Sequence, residues 1–99
     1  MKAVKVENMR SSKGNLVPNQ FIITTKDATY FQSYNSLIAK ISKRNGRIYL
    51  DPFYWDYSRT TSKYLYSFLG EFYRYGLNKK EIQKMSADYE SIIQFKDLN

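Results

Sequence analysis

WDYSRTTSKYLYSFLGEFYRYG, Trp55 to Gly76, holds the only tryptophan of the chain, five of its ten tyrosines and two of its six phenylalanines. Its first half reads as a capped amphipathic helix. Ser58 or Thr60 serves as N-cap, because a short hydroxyl side chain accepts a hydrogen bond from an unpaired N–H of the first turn. Beyond the cap, Thr61, Tyr64, Leu65, Phe68, Leu69 and Phe72 recur at spacings of three and four and form one apolar stripe. Arg59, Ser62, Lys63, Tyr66 and Ser67 fall on the other side. Gly70 or Gly76 ends the helix, since glycine takes the left-handed conformation that follows a helix C-terminus. If helix continues to Tyr75, then Tyr66, Tyr73 and Arg74 lie off the stripe, and Phe72, Tyr73 and Tyr75 serve either core or dimer packing.

A helix with one apolar stripe needs a sheet or a second helix to cover it, and the upstream sequence supplies strands. Ala3 to Val6 forms a short first strand, and Pro18 sets a boundary after the loop composition of Ser11 to Asn15. QFIITT (Gln20 to Thr25) and TYFQSY (Thr29 to Tyr34) read as a hairpin turning at Lys26, Asp27 and Ala28. Asn45-Gly46 accepts the positive φ angles of a two-residue type I′ turn. In that register Arg44 faces Arg47, Lys43 faces Ile48, Ser42 faces Tyr49 and Ile41 faces Leu50. One face then carries Leu37, Ala39, Ile41, Ile48 and Leu50, and the other carries Lys40, Ser42, Arg44, Arg47 and Tyr49, with Lys43 at the tip.

Downstream of the main helix, Asn78 to Glu81 is a capping-box variant that starts a second helix at Lys79, with Ile82 and Met85 inward. Ile92 to Phe95 reads as a short final strand. The fold expected is α+β, a single domain over residues 1–99. A small antiparallel sheet of four or five strands packs against one main amphipathic helix, Tyr57 to Phe72, with a second short helix at one edge.

Sixteen Lys and Arg against nine Asp and Glu give a formal charge of +7, which favours polyanions or acidic protein faces as partners. With no cysteine and no histidine, disulfides, zinc sites built on thiolates or imidazoles, and histidine-based catalysis are excluded. The glycines form no phosphate-cradling loop, and no cofactor or metal is expected. Asp51 and Asp56 flank the aromatic start of the main helix, yet Asp51 precedes a proline and Asp56 lies just before the cap, where acids serve turns and helix starts. The apolar runs are too short for a membrane span, so a soluble, cytoplasmic protein without enzymatic activity is expected.

From Ala28 to Leu50 there is no acidic residue. The basic hairpin face is therefore either a solvated surface that blunts edge-to-edge association or a site where cations meet phosphates and tyrosine meets a base. On the second reading Lys40, Lys43, Arg44 and Arg47, with Arg59, Lys63 and Arg74 around the helix, track a phosphate backbone. Tyr49, Tyr66 and Tyr73 stack on bases. Such a surface suits structured or single-stranded RNA better than duplex DNA.

NQFII (Asn19 to Ile23), FQSYNSLIA (Phe31 to Ala39) and WDYSRTTSKYLYSFLG (Trp55 to Gly70) resemble, in that order, an uncharacterised family of small proteins of phages and prophages of Gram-positive and gut bacteria. The resemblance implies a small, non-essential phage accessory protein in the host bacterial cytoplasm, a class that inhibits host defence or host replication by binding. It carries over no catalytic or binding residue. Family members commonly have glycine where Ser62 stands, and EFYRYG departs from their short polar link. The expectation is thus a non-enzymatic protein that binds RNA and inhibits a host system such as CRISPR defence. The alternative is a protein-binding inhibitor of a host factor with no nucleic-acid role, and in either case a homodimer is compatible with the exposed aromatics of Phe72 to Tyr75.

Overall fold

The hairpin signals organise the first half of the chain into a meander. The computed structural model describes residues 4–73, 79–86 and 92–99, the side chains of residues 71–73 and 86 excepted. Strands β1 (Lys5–Arg10), β2 (Leu16–Thr24), β3 (Ala28–Ser33), β4 (Ser36–Ser42) and β5 (Ile48–Leu50) pair in sequence order, each antiparallel to the last. Helices α1 (Arg59–Tyr73) and α2 (Lys79–Ser86) follow, and β6 (Ile93–Phe95) returns to lie parallel to β5. The α+β expectation holds in outline, but the sheet has six strands and one of its pairs is parallel. The reason is topological: a short turn forces antiparallel pairing, whereas a connection that crosses the sheet through helices brings the next strand back in the same direction.

Local chemistry fixes the main helix. The Thr61 N–H donates to Ser58 Oγ at 3.1 Å, which makes Ser58 the N-cap and starts α1 at Arg59 rather than Tyr57. Gly70 lies inside α1 and does not end it; Gly76 and the Asn78 cap of α2 lie outside the described residues. Leu65, Phe68 and Leu69 of α1 and Ile82 of α2 are fully buried against Ile22, Phe31, Ile38, Ala39, Ile48, Leu50 and Ile93 of the sheet. Phe31 and Phe68 stack with centroids 5.7 Å apart, and Ser33 Oγ meets Thr61 Oγ1 at 3.1 Å beside them. Each buried Leu, Ile and Phe side chain contributes roughly 1.5–3 kcal/mol by leaving water, so the helix face is held chiefly by burial and only secondarily by its cap.

Three irregularities correct the sequence reading. Between paired Phe31–Ala39 and Gln32–Leu37, Ile38 is an extra residue of β4, so Ile38 and Ala39 both enter the core and Leu37 moves to the opposite face. Asn45 does not have positive φ; only Gly46 does, at 69°. The loop therefore has four residues, Lys43 to Gly46, closed by Gly46 N–H to Ser42 O and by Arg47 N–H to Asn45 Oδ1, both 2.9 Å. Pairing shifts by two residues to Ile41–Ile48, Lys40–Tyr49 and Ala39–Leu50, and because the shift is even each side chain of the loop's flanks keeps its face. Lastly, β1 runs to Arg10, and Pro18 sits within β2. There the pairing jumps from Asn8–Phe21 to Arg10–Leu16, and left-handed Asn19 (φ 66°) occupies the same irregular stretch, where no ladder bond is asked of a proline.

The corner between β5 and α1 is tied down by Asp51, which is fully buried. Its Oδ1 accepts the N–H groups of Phe53 (2.9 Å) and Tyr54 (3.2 Å), and its Oδ2 accepts those of Leu98 (3.0 Å) and the Asn99 amide (2.9 Å). Asn99 in turn bonds both backbone groups of Leu37 through its side chain.

Candidate nucleic-acid interface

Partners across a ladder share a face, so the register places one residue of every strand in a lateral row on the side away from the helices: Val6, Ile23, Tyr30, Lys40, Tyr49 and Gln94. The middle of this row is a basic, aromatic platform. Lys40 Nζ lies 5.8 Å from the Tyr30 ring centroid and 5.9 Å from that of Tyr49, and Lys96 Nζ lies 5.4 Å from that of Tyr49. With strands about 4.8 Å apart, the two rings stand roughly 10 Å from one another with one ammonium between them. A shallow groove of about 370 Å³ runs beside Tyr30 and Lys40, bounded by Ile23, Leu37, Lys96, Asp97 and Leu98.

Of the ten residues singled out in the sequence, the eight whose side chains are described do not form one surface. Lys40 and Tyr49 belong to the platform. Lys43, Arg44 and Arg47 are exposed at the β4–β5 tip, where Lys43 Nζ donates to the Thr25 carbonyl at 2.7 Å and is thereby tied to the neighbouring turn. Ser42, expected beside them on the surface, is buried and accepts the Arg44 N–H through Oγ. Arg59, Lys63 and Tyr66 are carried by α1 on the opposite side of the sheet, because α1 turns its apolar stripe to the core face. Lys63 Nζ stands 5.4 Å over the ring of Tyr64. The side chain of Tyr73 and the whole of Arg74 lie outside the described residues.

Tyr66 is half-buried on α1. It packs against the core near the Asp56–Lys79 ion pair. Burial pushes its hydroxyl pKa up, the Asp56 charge adds to this and Lys79 opposes it. The bonded Asp56 carboxylate likewise holds the Lys79 ammonium above its ordinary value. Asp56 also accepts from Ser62 Oγ, and with Asp51 occupied by four donors the two acids are held in separate structural networks.

Two platform residues escaped the sequence reading. Tyr30 was legible in principle, since alternation along TYFQSY opposes it to Phe31, but only the β3–β4 register brings it beside Lys40. Lys96 carried no local signal, because it reaches Tyr49 only through the parallel pairing of β6 with β5.

Residues 4–87 match a family of unknown function, DUF8033. The chain belongs to this family. The match takes in β1 to β5 and both helices, including every platform residue except Lys96. No curated protein and no solved structure matches the chain. Among the described residues, no helix is long and apolar enough to cross a membrane.

Proposed function

We propose that the chain binds unpaired RNA on the open sheet face, with bases stacked on Tyr30 and Tyr49 and phosphates met by Lys40, Lys96 and the arginines of the β4–β5 tip. The observation that carries this reading is the position of Lys40 between two tyrosine rings on a face that the helices leave uncovered. Tyrosine offers a π-face to any base, and stacking of this kind is worth about 1–3 kcal/mol per base. The binding is stoichiometric, without turnover. In the phage setting that the sequence resemblance implies, it acts by interfering with a host system, and a nucleic-acid-guided defence such as CRISPR is the target proposed.

The test begins with the protein purified at low salt without nuclease. An RNase-sensitive excess of absorbance at 260 nm is expected, together with an affinity that falls steeply with salt. Tyr30→Ala with Tyr49→Ala should weaken RNA binding by at least about tenfold if each ring holds one base. A clean protein spectrum, and equal RNA affinity in the double variant, would refute the reading.

A second reading, an inhibitor that binds a host protein, is favoured by a different surface. On the helix side, a cleft of about 400 Å³ is lined by Tyr34, Tyr54, Tyr57, Ser33, Ser58 and Thr61 among others. Tyr34 is 55% exposed and Tyr57 72%, with Phe53 77% exposed in the same corner segment. Aromatic side chains so placed are typical anchors of protein interfaces. This reading predicts one host polypeptide retained after nuclease treatment and lost on Tyr34→Ala with Tyr57→Ala.

A further inference from the structure

The sheet ends in β1, and no other described strand pairs with its outer edge. The direction of its backbone groups follows from the neighbouring ladder. Thr25 N–H bonds Ala28 O, and Tyr34 N–H bonds Asn19 O, so odd-numbered residues of β2 turn their backbone groups to β3 and even-numbered ones to β1. Thr24 and Ile22 are the partners of Lys5 and Glu7. Lys5 and Glu7 therefore bond inward, and Val4, Val6 and Asn8 present N–H and C=O to the outside. Val4 and Val6 are also 58% and 59% exposed, which adds apolar surface to an unpaired edge.

The charges on this edge are self-complementary. Lys5 and Glu7 lie two residues apart on one face, with Nζ 3.7 Å from Oε1. We propose that β1 pairs antiparallel with β1 of a second copy about a two-fold axis at Val6, joining two six-stranded sheets into one. In that register Val6 opposes the partner's Val6 as a hydrogen-bonded pair, and Val4 opposes the partner's Asn8. Lys5 opposes the partner's Glu7 as a non-hydrogen-bonded pair, the type in which side chains come closest. The symmetry repeats the contact, so each ammonium is flanked by two carboxylates and each carboxylate by two ammonium groups. The register change at Met9 ends the pairing on one side. An isologous contact of this kind closes at two copies and leaves no further edge of the same kind. It also carries the open-face row of one copy, from Tyr49 through Val6, into that of the other. The inference does not depend on what the open face binds.

The register allows a charge-swap test by sedimentation of the full chain. Lys5→Glu alone places two carboxylates opposite one another at each contact, and Glu7→Lys alone places two ammonium groups there. Each variant alone should dimerise at least about tenfold more weakly than the unaltered protein. An equimolar mixture of the two restores every opposite-charge contact and should form a heterodimer. Val6→Pro, which removes an outward N–H and leaves the β1–β2 ladder intact, should be monomeric with an unchanged circular dichroism spectrum. The proposal is overturned if the unaltered protein sediments as a monomer up to its solubility limit. It is equally overturned if the single charge variants dimerise as tightly as the unaltered protein, or if their mixture shows no preference for the heterodimer.

Discussion

Replacing Asp51 by alanine removes the acceptor of four hydrogen bonds at once. The donors are the Phe53 and Tyr54 N–H groups at the corner leading to α1, the Leu98 N–H and the Asn99 amide. A donor left unpaired costs about 1–3 kcal/mol, and since all four lie at partly exposed segments that water reaches, the lower bound for each gives about 4 kcal/mol. The whole domain is stabilised by about 5–15 kcal/mol, so the loss is a large fraction of the total. Asp51→Asn keeps one acceptor oxygen but turns an NH₂ toward the donors of the other, for a cost of about 2 kcal/mol. The pH dependence adds a second signature. Burial acts to raise the Asp51 pKa, but the donors from Leu98, Asn99, Phe53 and Tyr54 outweigh it and hold the carboxyl below its ordinary 3.8. A group whose folded pKa is depressed contributes stability above its unfolded value and loses it as the pH falls through the folded value. Urea unfolding followed by circular dichroism should therefore show the gap between wild type and Asp51→Asn narrowing as the buffer is taken from neutral into acid below the ordinary carboxylate range. An Asp51→Ala variant within about 0.5 kcal/mol of wild type, the range of an ordinary surface substitution, or a gap independent of pH, would refute the reasoning.

Other sites give sharper signs than magnitudes. Gly70 lies inside α1 with no described atom beyond its chain neighbours and its own helix backbone within 4 Å of where a Cβ would stand, so Gly70→Ala should raise stability by about 1 kcal/mol, read as a higher urea midpoint. Gln20 is fully buried, with neither side-chain polar atom hydrogen-bonded. Gln20→Met should therefore be neutral or stabilising by about 1 kcal/mol, and a loss of stability would mean that the amide is satisfied in solution. On the RNA reading, Arg44→Glu with Arg47→Glu should lower affinity and flatten its salt dependence, whereas Arg59→Glu with Lys63→Glu, on the opposite side of the sheet, should change both much less. Equal losses from the two pairs would assign the effect to net charge rather than to the β4–β5 tip.

What the sequence made legible is what neighbouring residues decide among themselves. The Ser58 cap, the stripe of Leu65, Phe68 and Leu69, the start of α2 with Ile82 inward, and the β2–β3 hairpin all rest on contacts between residues close in the chain. The Asn45-Gly46 signal located a turn correctly and gave its length wrongly, because the Asn45 side chain bonds the Arg47 N–H and a four-residue loop satisfies the same glycine. The segment Leu37 to Ile41 is apolar at three consecutive positions, so alternation alone does not reveal that Ile38 is the bulged residue. Nothing local announces that β6 joins β5 or that Asp51 reaches Leu98 and Asn99; those contacts span more than forty residues. The candidate site followed the same division. Lys40 and Tyr49 came from one hairpin, whereas Tyr30 and Lys96 needed the sheet.

The open face also bears on why a protein keeps tyrosine rings uncovered by its helices. Lys40 and Lys96 place their ammonium groups over those rings, and an exposed cation–π contact is worth only about 0.5–1 kcal/mol. A base arriving on the same ring offers about 1–3 kcal/mol, and the displaced ammonium swings on a flexible stem toward the phosphate that arrives with it. On the RNA reading, the lysines that cover aromatic surface in the free protein become the phosphate contacts of the complex. The carboxylates of an acidic peptide engage the ammonium groups equally well but bring no aromatic face to the rings. On the RNA reading, the two tyrosines beside Lys40 are what would make this face prefer a nucleic acid to an acidic protein, so loss of Tyr30 and Tyr49 should cost RNA affinity and leave the affinity for a poly-glutamate peptide unchanged.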